Sequence, residues 1–175
     1  MSVSKSVIEC YKVRASGEWA DITVDDVGKS GRIQIASGYG TWGCWWSSCG
    51  VPFKQFLIEL TNDINYVAVK VGAARWFDHE ATMRELRKQV SDHNNEEERV
   101  MMEVELEVLE NCTEVKTFIC LAYQSNALSK LWDCGPDIHY DILPAFKHFW
   151  TTLWPVFVEE LKKENTSWCE IPDLT

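Results

Sequence analysis

Between Ser37 and Trp46 the chain runs Ser37-Gly38-Tyr39-Gly40-Thr41-Trp42-Gly43-Cys44-Trp45-Trp46, with three Trp, one Tyr and three Gly in ten residues. No other stretch constrains the fold as much. Ahead of it, Ile33 and Ile35 share one strand face while Arg32 and Gln34 share the other. After Gly40 the parity changes. Trp42, Cys44 and Trp46 now fall together, opposite Thr41, Gly43 and Trp45. A turn or bulge at Gly38-Tyr39-Gly40 resets the register in this way, because glycine tolerates the required dihedrals.

The neighbouring segments extend the pattern. Val7 to Arg14, Trp19 to Val24 and Arg32 to Ser37 read as short strands, separated by Ser16-Gly17 and by Asp25-Asp26 with Gly28 to Gly31. The simplest arrangement is an antiparallel meander of three or four strands. Pro52 then opens a helix that carries Phe53, Phe56, Leu57 and Leu60 on one face and ends near Thr61-Asn62. Asn65 to Val71 is apolar and ambiguous. Phe77 to Val90 reads as a helix with Asp78 as N-cap and Arg84, Arg87 and Lys88 on its wet side. Asn95 with Glu98 resembles a capping box at the next helix start. Within that segment Glu103 to Val108 alternates strictly and reads alone as a strand. Wound as a helix, Val100, Met101, Met102, Val104, Leu106, Val108 and Leu109 cover a wide apolar face beside a narrow acidic one, and the cap and the strong helix formers favour helix.

Thr117 to Gln124 reads as a short helix. The longest amphipathic pattern is the last, about Leu143 to Lys163, where Phe146, Phe149, Trp150, Leu153, Trp154, Phe157 and Leu161 form a core-facing stripe and Pro155 should kink the rod. Trp168 and Cys169 suggest a tail that docks on the body. With no linker, repeat or low-complexity tract, the expectation is one α+β domain over residues 1–175. It has a small N-terminal antiparallel sheet of three to four strands with four to six helices packed on one face. Ile33, Ile35, Trp42 and Trp46 form the inner sheet face, covered by the C-terminal helix, and Trp45 packs beneath a helix.

Composition bounds the function classes. Apolar residues make up 46% of the 175, ample for one core. No eighteen-residue apolar window exists, so no membrane span is expected, and the first ten residues lack the apolar run of a signal peptide. Seven Cys without a CxxC spacing fit buried, reduced thiols of a cytosolic protein. The net charge of −10 lies entirely beyond residue 60, and nine acids with one base, Arg99, fall between Asp92 and Glu114. Nucleic acid and anionic lipid would be repelled, which leaves a basic protein surface as the natural macromolecular partner.

Motifs that carry chemistry are weak. Gly38 to Gly43 fits GxGxxG, but no helix opens at the glycines and no βαβ unit surrounds them, as a dinucleotide site requires. Asp137-Ile138-His139-Tyr140-Asp141 offers three ligand types at alternate positions, explained equally well as a polar loop before a helix. No metal and no cofactor is expected, and no catalytic residue is assigned. Tyr39, Trp42, Trp45 and Trp46 are a candidate pocket for stacking a ring, against the simpler reading that Trp42 and Trp46 are core. Glu96, Glu103, Glu107, Glu110 and Glu114 are candidate partner-binding residues on the acidic helix face.

Ser37, Tyr39, Gly40, Trp42 and Trp46, followed by Phe53, Lys54, Phe56 and Leu57 and by Phe149-Trp150 through Trp154-Pro155, resemble a family of small accessory proteins of tailed bacteriophages and prophages. Gly38 departs from that pattern, where an acid is usual, and so does Cys44, where an aromatic is usual. The resemblance implies phage origin and action in the cytoplasm of a bacterial host, and carries no activity. Taken with the lack of a catalytic constellation and with the acidic helix face, phage origin leads to the expectation of a non-enzymatic protein that binds and inhibits a host component, a nucleic-acid-binding part of a CRISPR or restriction defence being the favoured target. The alternative is capture or turnover of a host nucleotide signal.

Overall fold

The computed structural model describes residues 7–167, so Trp168 and Cys169 lie outside the described residues. Two compact units divide the chain. One joins the part up to Ala74 with the part from Ile142, and the other is Arg75–Asp141.

In the first unit β1 (Glu9–Ala15), β2 (Glu18–Asp26), β3 (Gly31–Ser37) and β4 (Gly40–Trp46) form an antiparallel meander in sequential order. Ser16 and Gly17 turn the first hairpin with positive φ at both positions, 53° and 81°, the geometry whose twist suits a two-residue hairpin. Ser37 pairs with Gly40 across Gly38-Tyr39, so odd-numbered residues of β3 oppose even-numbered residues of β4. That tight turn, with no bulge, is the whole cause of the parity change. Ile22, Ile35 and Trp42 consequently align across three strands. Ile33, Ile35, Trp42 and Trp46 are buried, as alternation requires. Trp45 is not beneath a helix. It sits on the opposite sheet face and is 51% exposed.

Helices α1 (Phe53–Glu59), α2 (Ile64–Lys70), α6 (Pro144–Thr152) and α7 (Trp154–Ser167) complete this unit's core. The ambiguous segment after Asn62 is α2, started by the Asp63 side chain accepting from the Tyr66 amide. A Cβ on Gly31 would overlap the Phe53 ring, so β3 begins on the one residue that lets α1 approach this closely. Trp42 meets Phe146 edge-on at 5.0 Å, and Trp150 stacks on Trp154 at 4.5 Å. The C-terminal rod breaks at Leu153 rather than bending as one helix. Pro155 has no N–H to give, and that loss is harmless in the first turn of a new helix.

In the second unit β5 (Trp76–Phe77) pairs with β6 (Tyr140–Asp141), clasping the two ends of the segment together. The Asp137-to-Asp141 run serves this clasp. The His139 carbonyl accepts from the Asp78 amide at 3.0 Å, and the His139 amide donates to Thr82 Oγ1 at 3.1 Å. Between the clasp strands lie α3 (His79–Ser91), α4 (Glu96–Glu110), α5 (Val115–Gln124) and a 3-10 turn, Leu128–Leu131. They enclose a core that includes Met83, Leu86, Met102, Leu106, Phe118 and Leu128. Asp78 and Asn95 cap α3 and α4 as their positions predict. The alternating run 103–108 is helical throughout.

With α6 and α7 taken as one broken rod, six helices accompany the four-stranded sheet, an α+β fold. No helix among the described residues is long and apolar enough to cross a membrane. The described cysteines are free, but none is buried. Cys10, Cys120 and Cys134 are exposed, and Cys44, Cys49 and Cys112 are partly covered. Cys10, for instance, points away from the core on the edge strand β1, where alternation places it opposite Tyr11 and Val13 in facing.

Candidate functional site

The expected capping box at α4 forms only half. Asn95 accepts from the Glu97 and Glu98 amides, but the Glu98 carboxylate goes to His93 Nε2 and Lys130 Nζ, both at 2.8 Å, instead of reaching back to the cap. Those two partners hold the Glu98 pKa below the usual carboxylate range, Lys130 contributing most. Glu96, Glu97 and Glu98 in the first turn suit the positive end of the helix dipole. The other end is different, since its last turn holds no basic residue and ends on Glu107 and Glu110. Carboxylates there face the negative end of the dipole, and Glu103 to Glu107 and Glu107 to Glu110 are like-charge neighbours on one face.

The candidate partner-binding acids divide accordingly. Glu96 pairs with Arg99 at 2.7 Å, Glu103 approaches the same guanidinium at 3.7 Å, and Glu110 pairs with Arg87 at 2.6 Å. Glu107 is exposed and makes no ion pair among the described residues. Glu103, Glu107 and Glu110 line one open recess of about 340 Å³ with Arg87. Glu114 stands apart, beyond the end of α4, as the N-cap of α5. The Thr117 hydroxyl and amide bind its carboxylate and hold its pKa below the usual range.

Tyr39, Trp42, Trp45 and Trp46 do not line one pocket. Trp42 and Trp46 point into the core, the Trp46 indole donating to Tyr66 Oη at 2.9 Å. Trp45 faces the other side of the sheet, and Tyr39 packs edge-on against His148 at 4.9 Å. Gly38 and Tyr39 make the hairpin turn and Gly40 to Gly43 belong to β4, so the glycine pattern opens no helix. The motif that follows is structural too. Phe53 and Leu57 are core, and Lys54 Nζ lies 2.5 Å from Glu9 and 2.7 Å from Glu164, tying α1 to β1 and α7. Burial works against the Lys54 ammonium, but Glu164, Glu9 and Tyr11 outweigh it and raise its pKa above the usual lysine range.

Two features of α4 escape a reading of the sequence. Glu105 is half-buried and is held by the Ser125 hydroxyl and by the amides of Asn126, Ala127 and Leu128 at 2.9–3.2 Å. Burial works against its charge, yet those donors prevail and lower its pKa. One signal existed, since at 3.6 residues per turn Glu105 falls across the helix from Glu103 and Glu107. The second feature is that the expected wide apolar face splits. Met102, Leu106 and Leu109 are core, whereas Val100, Met101, Val104 and Val108 are exposed.

Among known proteins, residues 1–164 match the model of a phage family. No curated protein and no solved structure matches the chain.

Proposed function

The chain belongs to a phage family, and we propose that it is a non-enzymatic interaction protein that binds and inhibits a host protein in the cytoplasm of the infected bacterium. The target is a nucleic-acid-binding component of a host defence, of the CRISPR or restriction kind, whose basic surface accepts the acidic face of α4. The observation that carries this reading is the grouping of Glu103, Glu107 and Glu110 toward the C-terminal end of that helix. Arg99 and Arg87 partly offset Glu103 and Glu110, but Glu107 between them has no ion pair among the described residues, opposes the helix dipole and repels both neighbours, so its charge lowers the stability of the free protein. Attraction to a basic surface offsets that cost once the partner is bound. The stripe would stand where phosphates otherwise bind, and the encounter would be fast and strongly dependent on salt.

The experiment is capture of partners from host extract, with mass spectrometry, using the wild-type chain and the triple variant Glu103→Gln, Glu107→Gln, Glu110→Gln. The expected result is a nucleic-acid-binding protein retained at low salt and lost from the variant. Retention of the same protein by the variant, with unchanged affinity and salt dependence, would sink the acidic-face mechanism.

A further inference from the structure

Beside its acidic stripe α4 carries an apolar strip that its own unit does not cover. Val100, Met101, Val104 and Val108 are 51%, 51%, 62% and 58% exposed. Their spacing puts them on one side of the helix, between the stripe and the Glu105 side. Valine is a mediocre helix former, so an exposed Val here helps neither packing nor propensity. Single exposed apolar residues need no explanation, but four grouped on one helix do.

The strip is also concave. Two recesses, about 380 and 170 Å³, adjoin it and share Glu105. Val100, Met101, Val104 and Ala127 line the first together with Lys130, whose ammonium is held by Glu98 at 2.8 Å, and Val108, Leu121 and Leu128 line the second. Glu105 is engaged by Ser125 and the amides that follow, so the charge between the two recesses already has its partners. From Val100 to Val108 the groove runs roughly 12 Å, a little over two helical turns.

We infer that this groove receives an amphipathic helix of the host partner, with apolar residues at i, i+4 and i+7 seated against the valines and Lys or Arg on the flank that faces Glu103 and Glu107. The inference rests on the reading of α4 as the host-binding element and names the kind of segment it binds. Charge selects this occupant. Helix α4 holds seven carboxylates and one guanidinium. A second copy laid along the strip would bring Glu103 and Glu107 against their like, and an acidic or nucleic-acid ligand would meet the same repulsion. A basic amphipathic helix satisfies the groove and the stripe at once.

The test uses the whole chain and a displayed library of helical peptides about 14 residues long, enough for roughly 21 Å of helix. Selected peptides should carry an apolar i, i+4, i+7 pattern with Lys or Arg on one flank. Val104→Gln with Val108→Gln should weaken them by about tenfold or more. Because Gln is a better helix former than Val, that variant should melt no lower than wild type. Glu103→Gln with Glu107→Gln should weaken the same peptides and flatten their salt dependence. Loss on the Glu changes alone overturns the groove and leaves the acidic-face function standing. Loss on the Val changes with indifference to the Glu changes and to salt overturns the basic occupant and that function together. A library without helical binders, or a dimer abolished by the Val changes, overturns the inference as well.

Discussion

The two units solve the same folding problem with different residues. The first joins a four-stranded sheet to helices through aromatic rings, among them Trp42, Phe146, Phe149, Trp150, Trp154 and Phe157. The second, Arg75–Asp141, closes around Met, Leu and Ala with Phe118 as its one fully buried ring. Charge divides as unequally. The second unit has fifteen acids against seven bases, a net −8 of the chain's −10. Its helix α4 also exposes four large apolar side chains in one strip, whereas the exposed apolar residues of the first unit, such as Trp19, Trp45 and Val69, sit on separate elements. Apolar residues that stabilise their own unit and those that stay exposed can thus be told apart only by where the unit leaves them.

The largest effect expected is in the aromatic core. Trp42→Ala should cost about 3–5 kcal/mol, since it removes a ring packed on Phe146 and Phe149. Trp45→Ala, three residues along the same strand but on the open face, should cost about 0.5 kcal/mol or less. Urea unfolding of both variants measures the contrast. Equal losses would mean that the sheet has no distinct inner face.

Next comes the polar anchor of the second unit. Glu105→Ala leaves the amides of Ala127 and Leu128 without their acceptor and should cost about 1–3 kcal/mol. Hydrogen exchange should locate that loss at the 3-10 turn and α4, with the β1–β4 sheet unaffected. Protection lost equally in both units would break the comparison.

The same carboxylate gives a pH dependence with a definite sign. Its folded pKa lies below its unfolded one. The stability it supplies is therefore complete above the unfolded value, about 4.3, and is lost as pH falls through the folded value. Denaturation curves taken across that acid window should converge for wild type and Glu105→Gln as the pH drops. Parallel curves would mean that the carboxylate is not held as a charge.

Much of the first unit was legible because its signals are local. Alternation in β3 and β4 and the spacing of Gly38-Tyr39 suffice to place Ile33, Ile35, Trp42 and Trp46, and hairpin geometry does the rest. Asp78 and Asn95 were legible as caps for the same reason. The second unit was legible as helices but not as a body. Strands β5 and β6 are two residues each, too short for any period, and their partners are more than sixty residues apart. Helix α4 has apolar residues around most of its circumference, so periodicity marks the helix without telling which stripe its own core will use. The role of Glu105 was not legible because its donors, Ser125 to Leu128, come from a distant segment. Glu114 looked like a member of the stripe because its spacing continues the acidic face, although Asn111 is a local stop signal and is the C-cap at which α4 ends.

The smallest effect expected separates a solvated acidic face from one held under repulsion. Glu107 is four residues beyond Glu103 and three before Glu110, and it makes no ion pair among the described residues. Neutralising it removes two like-charge contacts and one carboxylate from the negative end of the helix dipole, and Gln costs nothing in helix propensity. Glu107→Gln should therefore stabilise the second unit by about 0.2–0.5 kcal/mol at low ionic strength. The gain should fade as salt screens the repulsion it relieves. The matching change in the first unit is Glu9→Gln, where the carboxylate is bound by Lys54 and Tyr11, and it should destabilise instead. Opposite signs for the two changes, measured by thermal unfolding at low and high salt, would show that Glu107 is kept at a cost to the free protein. A loss of stability on Glu107→Gln would remove the physical basis for reading that stripe as a binding face.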